Sequence, residues 1–178
     1  MSCNVKTLSR FLIRHATGRD APRIAGIQVR SCQAACHGLV PETKLREMDA
    51  SRRAVEWKDV LGTPCEKTIL VAMKGTRMAG FCSFSRSQDP DAGPATAEIG
   101  SFFIDPLAWG RGAGHELAKE ALDQAKRRGY SRVIQWVIGA NDRSKRFCES
   151  IGFSPDGVEK TEDISGCPVR ELRYLKAL

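Results

Sequence analysis

Apolar and polar positions recur with two periods along this chain, and the changes of period mark its elements. Leu12 to Ala16 reads as a short strand. Behind it, Asp20 is suited to cap a helix opened by Pro22, with Ile24, Ile27 and Val29 turned to a core and an end near Cys36. His37-Gly38-Leu39-Val40-Pro41 breaks that helix. Ser51 is the expected cap of the next, with Val55, Trp57, Val60 and Leu61 as apolar positions and Gly62 at the end. Ile69 to Met73 and Met78 to Ser85 flank Lys74-Gly75-Thr76-Arg77, a hairpin signal. Residues 88–95 hold prolines, aspartates and a glycine, and read as a loop.

The second half is more regular. Thr96 to Ile104 predicts a central strand. Ala113, Leu117, Ala121, Leu122 and Ala125 make one stripe of a helix that Gly129 stops. A strand over Arg132 to Ile138, a helix over Asp142 to Ser150, and strands over Phe153 to Lys160 and Val169 to Leu175 complete the pattern. Hairpins with one strand–helix–strand crossover imply an α/β fold over a largely antiparallel sheet. At 178 residues, a single domain over residues 1–178 is the expectation.

Composition narrows the function only by exclusion. Hydrophobic content of 42% is ordinary for a globular chain. No apolar run approaches the roughly 18 residues of a membrane span. The segment Met1 to Arg10 lacks the apolar core of a signal peptide, so a cytoplasmic location is expected. Seven scattered cysteines with no Cys-x-x-Cys pair suit reduced thiols. Cys32, Cys36 and His37 cluster, but a zinc site needs about four ligands, so no metal is expected. The net charge of +7 reads either as a solvated basic surface or as attraction to an anionic ligand. The densest basic run, Lys126-Arg127-Arg128, complements a helix C-terminus, and with 7% aromatics it makes no nucleic-acid stripe.

The candidate chemistry centres on Trp109-Gly110-Arg111-Gly112-Ala113-Gly114, between the central strand and the following helix. Alternating glycines let the backbone approach a ligand, and the helix aims free N–H groups into the loop. Together they make a phosphate site to which Arg111 can add charge. A P-loop would end in Gly-Lys-Ser/Thr, but this one ends Gly114-His115-Glu116. A dinucleotide fingerprint would open the first strand–turn–helix unit and be followed by an acid about 20 residues on, and neither holds.

The loop resembles the pyrophosphate loop of the GCN5-related N-acetyltransferases. A second stretch, Gly139-Ala140-Asn141 through Phe147-Cys148 to Gly152-Phe153, is similar to that family's other signature. The likeness runs from about Phe11 to Tyr174, and the segment Val29 to Pro41 is similar to a bacterial subgroup of unassigned acceptor. The resemblance implies a mixed, mostly antiparallel sheet of about seven strands flanked by helices, its parallel fourth and fifth strands splayed apart. It further implies direct acetyl transfer from acetyl-CoA to a primary amine of a small molecule or peptide. Cofactor contacts then fall to Phe102, Phe103 and Ile104 through their backbones, to Trp109 through His115 (with Gly110, Arg111, Gly112, Ala113 and Gly114 between), and to Asn141, which is equally suited to cap a helix. The resemblance leaves a homodimer open.

For catalysis, Glu98 is the candidate base, and alternation places Glu98, Gly100, Phe102 and Ile104 on one strand face. Cys148 stands where the family has its Tyr acid, and reads either as a replacement acid or as a packed thiol. Cys32 and Cys36 replace a Trp and a Tyr that wall the acceptor site, which makes them candidate substrate contacts. Trp109 replaces a polar residue of the loop. These departures motivate an alternative, a catalytically degenerate acyl-CoA-binding sensor or regulatory module.

Overall fold

The structure is a computed structural model and describes residues 10–64, 66–164 and 166–178. Most of the segment read for a signal peptide, residues 1–9, lies outside the described residues, as does Cys65. The strands are Leu12–His15 (β1), Thr68–Lys74 (β2), Arg77–Arg86 (β3), Thr96–Ile104 (β4), Arg132–Ile138 (β5), Ser154–Ile164 (β6) and Cys167–Ala177 (β7). They form one seven-stranded sheet in the order β1-β2-β3-β4-β5-β7-β6. All neighbours are antiparallel except β4 and β5. The helices are Ala21–Ala35 (α1), Glu42–Arg46 (α2), Ala50–Gly62 (α3), Ala113–Arg127 (α4) and Asp142–Ser150 (α5). This is the mixed sheet with flanking helices that the resemblance implies.

Helices cover both faces, which explains why Ile69 to Met73 reads as an unbroken apolar run. On one face α4 buries Ala113, Leu117, Ala121 and Ala125 against Leu70, Cys82, Phe84, Ile99 and Val137. On the other, α1 and α3 set Ile24, Ile27 and Trp57 against Val71, Met73 and Phe81.

Several local expectations are corrected. Asp49, not Ser51, caps α3: its carboxylate accepts from the N–H groups of Ser51 at 2.7 Å and Arg52 at 3.4 Å. Val55 is 62% exposed, because the α3 stripe that packs is set by Trp57. Asp20 precedes α1 without capping it through its side chain. Its carboxylate accepts instead from the Thr17 N–H at 2.8 Å and from both terminal nitrogens of Arg14. Helix α2 went unforeseen because five residues are too few to display a 3.6-residue period.

The parallel β4–β5 ladder pairs only Thr96 with Arg132, Ala97 with Val133 and Glu98 with Ile134. Beyond Glu98 the strands separate while each keeps its outer partner. One further irregularity sits on β4. Ser83 opposes Ser101 and Phe84 opposes Ile99, which leaves Gly100 without an opposite residue. The extra residue is a β-bulge, and it switches the faces of everything on one side of it. Ile99, Phe102 and Ile104 pack with the α4 core, whereas Phe103 packs with the α1–α3 core. Glu98, next to Ile99, therefore shares the α1 face with Phe103. The expected common face for Glu98, Phe102 and Ile104 is wrong, because alternation does not survive the bulge.

Candidate active site

The separation of β4 from β5 opens a cavity of about 760 Å³. Residues of both sheet faces line it, Phe102, Phe147 and Cys148 from the α4 side and Ser31, Trp136 and Glu171 from the other. The cavity thus passes through the sheet at the splay.

At one end lies the glycine loop. Gly110 and Gly112 take φ of 69° and 91°, left-handed values that side chains disfavour. Gly112 precedes α4, whose first backbone bond runs from the Glu116 N–H to the Gly112 carbonyl at 3.1 Å. The N–H groups of Ala113, Gly114 and His115 therefore have no acceptor within the helix. A Cβ on Gly114 would lie 3.0 Å from the Phe147 ring, a tight contact that would push the ring back, so glycine favours the close approach of α4 and α5. Gly110, Gly112, Gly114 and His115 line the cavity. Arg111 and Ala113 do not: the Arg111 side chain is exposed and Ala113 is buried beneath α4.

Trp109 lines the cavity and donates its indole N–H to the Ile104 carbonyl at 2.7 Å. The same carbonyl accepts from Ser31 Oγ at 2.8 Å. Along this stretch the Asp105 N–H donates to Ala79 of β3. Antiparallel ladders alternate direction, so Phe103 also turns its backbone to β3, while Phe102 and Ile104 turn theirs to the gap. Of the backbone groups expected at the gap, those of Phe103 face the other way, and the Ile104 carbonyl is engaged by Ser31 and Trp109. Asn141 does cap α5, its side-chain oxygen accepting from the Ser144 N–H at 3.0 Å, and it also lines the cavity.

The opposite end is built by α1, α2, β5 and β7. Cys32 and Cys36 both line it, and burial pushes the Cys32 thiol up to about 12. Glu171 lines it too, a half-buried carboxylate whose pKa burial raises against the pull of Lys160. Trp136 presents its indole there, with the Lys160 ammonium 4.5 Å from the ring centroid. Arg173 is buried beside it and binds Asp89 at 3.1 Å, Asp91 at 2.6 Å and Asp156 at 2.8 Å. That cluster ties the loop 88–95 and β6 down onto β7.

Glu98 lies beside the cavity rather than in its lining. It accepts a hydrogen bond from Ser87 Oγ at 3.4 Å. Burial, then the charge of Asp89, raises its pKa, opposed by Lys160, Ser87 and Lys67. Cys148 is 1% exposed, and its thiol sits 3.9 Å from Gln135 Oε1. Burial, then Glu149, pushes it up to about 12.

Arg143 and Arg146 of α5 also line the cavity and were absent from the sequence expectations. Their three-residue spacing behind Asn141 places them on one helix side, a signal that was readable. Trp136 and Glu171 carried no such signal, because β5 meets β7 only through the sheet order.

Residues 32–153 match the family model of the acetyltransferase (GNAT) family. A mycothiol acetyltransferase of Beutenbergia cavernae is 45% identical over 69 residues, 39% of this chain and 23% of that protein. An L-methionine sulfoximine/L-methionine sulfone acetyltransferase of Salmonella typhimurium is 28% identical over 111 residues, 61% of this chain and 62% of that protein. The match thus spans less than two thirds of either relative. Among solved structures, yncA of Salmonella typhimurium, determined with its cofactor acetyl-CoA, superposes with a TM-score of 0.68 at 23% identity over 95% of this chain and 94% of that one. The family match covers well over half of the sequence, so this chain belongs to the acetyltransferase (GNAT) family.

Proposed function

We propose that the protein transfers an acetyl group from acetyl-CoA to a primary amine, directly and within a ternary complex. The observation that carries this reading is the cavity through the splayed sheet, with a glycine loop and helix N-terminus at one end and the Glu171 carboxylate at the other. Its volume falls within the roughly 300–1,000 Å³ of ligand pockets.

The residues fit the cosubstrate. Phosphates suit the α4 N-terminus with Arg143 and Arg146 beside it. The pantetheine arm suits the gap, where the backbone of Phe102 and the Ile104 N–H are turned to β5. Bound there, acetyl-CoA supplies an activated acetyl thioester.

Glu98 is the proposed base, acting through water because it stands behind the lining. A carboxylate raised by burial is a better proton acceptor than an exposed one, which suits removal of a proton from the attacking amine. Cys148 contributes packing: a thiol pushed up to about 12 is a weaker acid than an ordinary thiol, so the C–S bond breaks to a CoA thiolate that takes its proton from water or from the amine itself. The protein is a single domain in this reading, acting in the cytoplasm without a metal. The alternative, an acyl-CoA-binding module without turnover, draws on that same burial of Cys148.

Thiol release from acetyl-CoA, measured with and without amine acceptors, separates the two. Amine-dependent release supports transfer, whereas tight acetyl-CoA binding with no release above background for any amine supports the module.

A further inference from the structure

The end of the cavity remote from the glycine loop has a chemical character of its own. His115, Arg143 and Arg146, the basic residues among the described lining, belong to α4 and α5. At the α1–β5–β7 end the charged lining residue is Glu171. Among the described residues, no Lys or Arg lines that end to receive an acceptor's carboxylate.

A primary ammonium already sits against this wall. Lys160 Nζ lies 3.6 Å from Glu171, 3.3 Å from Glu162 and 4.5 Å from the centroid of Trp136. Carboxylate and indole face together are a recognition pair for an alkylammonium. The Lys160 side chain is 37% exposed and Glu162 more so, so this lysine can withdraw along its stem and keep Glu162 as partner. The Trp136 Nε1–H is buried and has no hydrogen-bond partner among the described residues.

The surroundings carry the same sign. Linked around Glu171 and Trp136 are the carboxylates of Glu98, Glu162, Asp89, Asp91 and Asp156, against the cations Lys67, Lys160 and Arg173, with Arg53 acting on Cys32 at the same end. On a chain of net charge +7, these linked groups hold more carboxylates than cations. Such a field concentrates cations at the mouth of a site.

We propose that the acceptor is an aliphatic diamine or polyamine, one amine reacting while a second ammonium is held by Glu171 and the Trp136 indole. This rests on the acetyltransferase reading and names its substrate class. It sets the chain apart from acceptors that present a carboxylate beside the amine, which would meet the Glu171 carboxylate in the lining of this end.

Matched five-carbon ligands test it: 1,5-diaminopentane, pentylamine and 5-aminopentanoate, each titrated calorimetrically into protein saturated with CoA. The diamine is expected to bind about tenfold more tightly than pentylamine, with aminopentanoate weakest. Glu171→Gln is expected to bring the diamine down to the pentylamine level. Equal affinities, a preference for aminopentanoate, or an equal loss for all three ligands in Glu171→Gln would overturn the proposal. Should that variant fail to fold, the wild-type ranking decides alone. Acetyl-CoA titrated into the same wild-type protein reads the parent reaction separately. Cofactor binding with the wrong amine ranking sinks only the substrate class, whereas no cofactor binding sinks the transferase.

Discussion

The Arg143 guanidinium stacks on the Trp109 indole, 3.6 Å from its centroid, at the mouth of the cavity. The indole in turn is anchored by its N–H to the Ile104 carbonyl. In the proposed reading Trp109 stands where the resemblance implies a polar loop residue, and its ring instead holds a cation brought by α5. Burial, then the nearby Arg146, disfavours the Arg143 charge, and no carboxylate among the described residues relieves it. An anionic ligand would.

Arg143→Ala is therefore expected to weaken acetyl-CoA binding about tenfold, the loss of one charge-assisted contact. Acetyl-pantetheine, which lacks the phosphates, should bind the variant and the wild type alike. Calorimetry with the two donors checks this; equal losses for both would mean that Arg143 only supports the fold.

Glu98 must be unprotonated to act as base. Burial raises its pKa, so the rate should rise with pH through a limb displaced upward from that of an exposed glutamate and then level. Glu98→Gln should lower kcat by about a hundredfold or more and remove that limb. A variant with the wild-type rate and pH profile would dismiss Glu98 from the chemistry.

Cys148→Ala separates packing from proton transfer. A buried thiol that only packs should lose about 1–2 kcal/mol of stability on truncation, by thermal unfolding, with thiol release changed less than about twofold. A collapse of kcat with acetyl-CoA affinity intact would restore the acid role.

The Arg14–Asp20 pair makes a stability prediction. The Arg14 hydrogen bonds hold the Asp20 carboxyl at about 2, with burial opposing and Thr17 assisting. A depressed folded-state pKa adds stability that is fully present above the unfolded value near 4 and is lost as pH falls toward 2. Asp20→Asn should thus destabilise the protein by about 2 kcal/mol at pH 7, with the gap closing between about pH 4 and pH 2. Urea unfolding across that range reads it; a gap independent of pH would place the effect elsewhere.

The second half of the chain was the more legible, because its periodic segments are long and bounded by breakers. Thr96 to Ile104, Arg132 to Ile138 and Asp142 to Ser150 carry their own limits in Pro94, Asp105-Pro106, Gly129, Gly139 and Asn141. What escaped was decided by distant pairing. The bulge at Gly100 exists only because β3 opposes β4, and it alone moves Glu98 to the α1 face. Trp136 and Glu171 look like ordinary strand residues until β7 is seen to lie beside β5. The Asp49 cap was missed for a local reason: Ser51 and Asp49 are both good caps, and backbone geometry chooses between them.

The most direct test of the account is calorimetric titration of the purified protein with acetyl-CoA, with desulfo-CoA and NADH as controls. The account predicts saturable binding at micromolar concentrations of acetyl-CoA, retained by desulfo-CoA and absent for NADH. No binding at millimolar acetyl-CoA would contradict it, since the gap between β4 and β5 would then hold no coenzyme and the proposed transfer would have no donor.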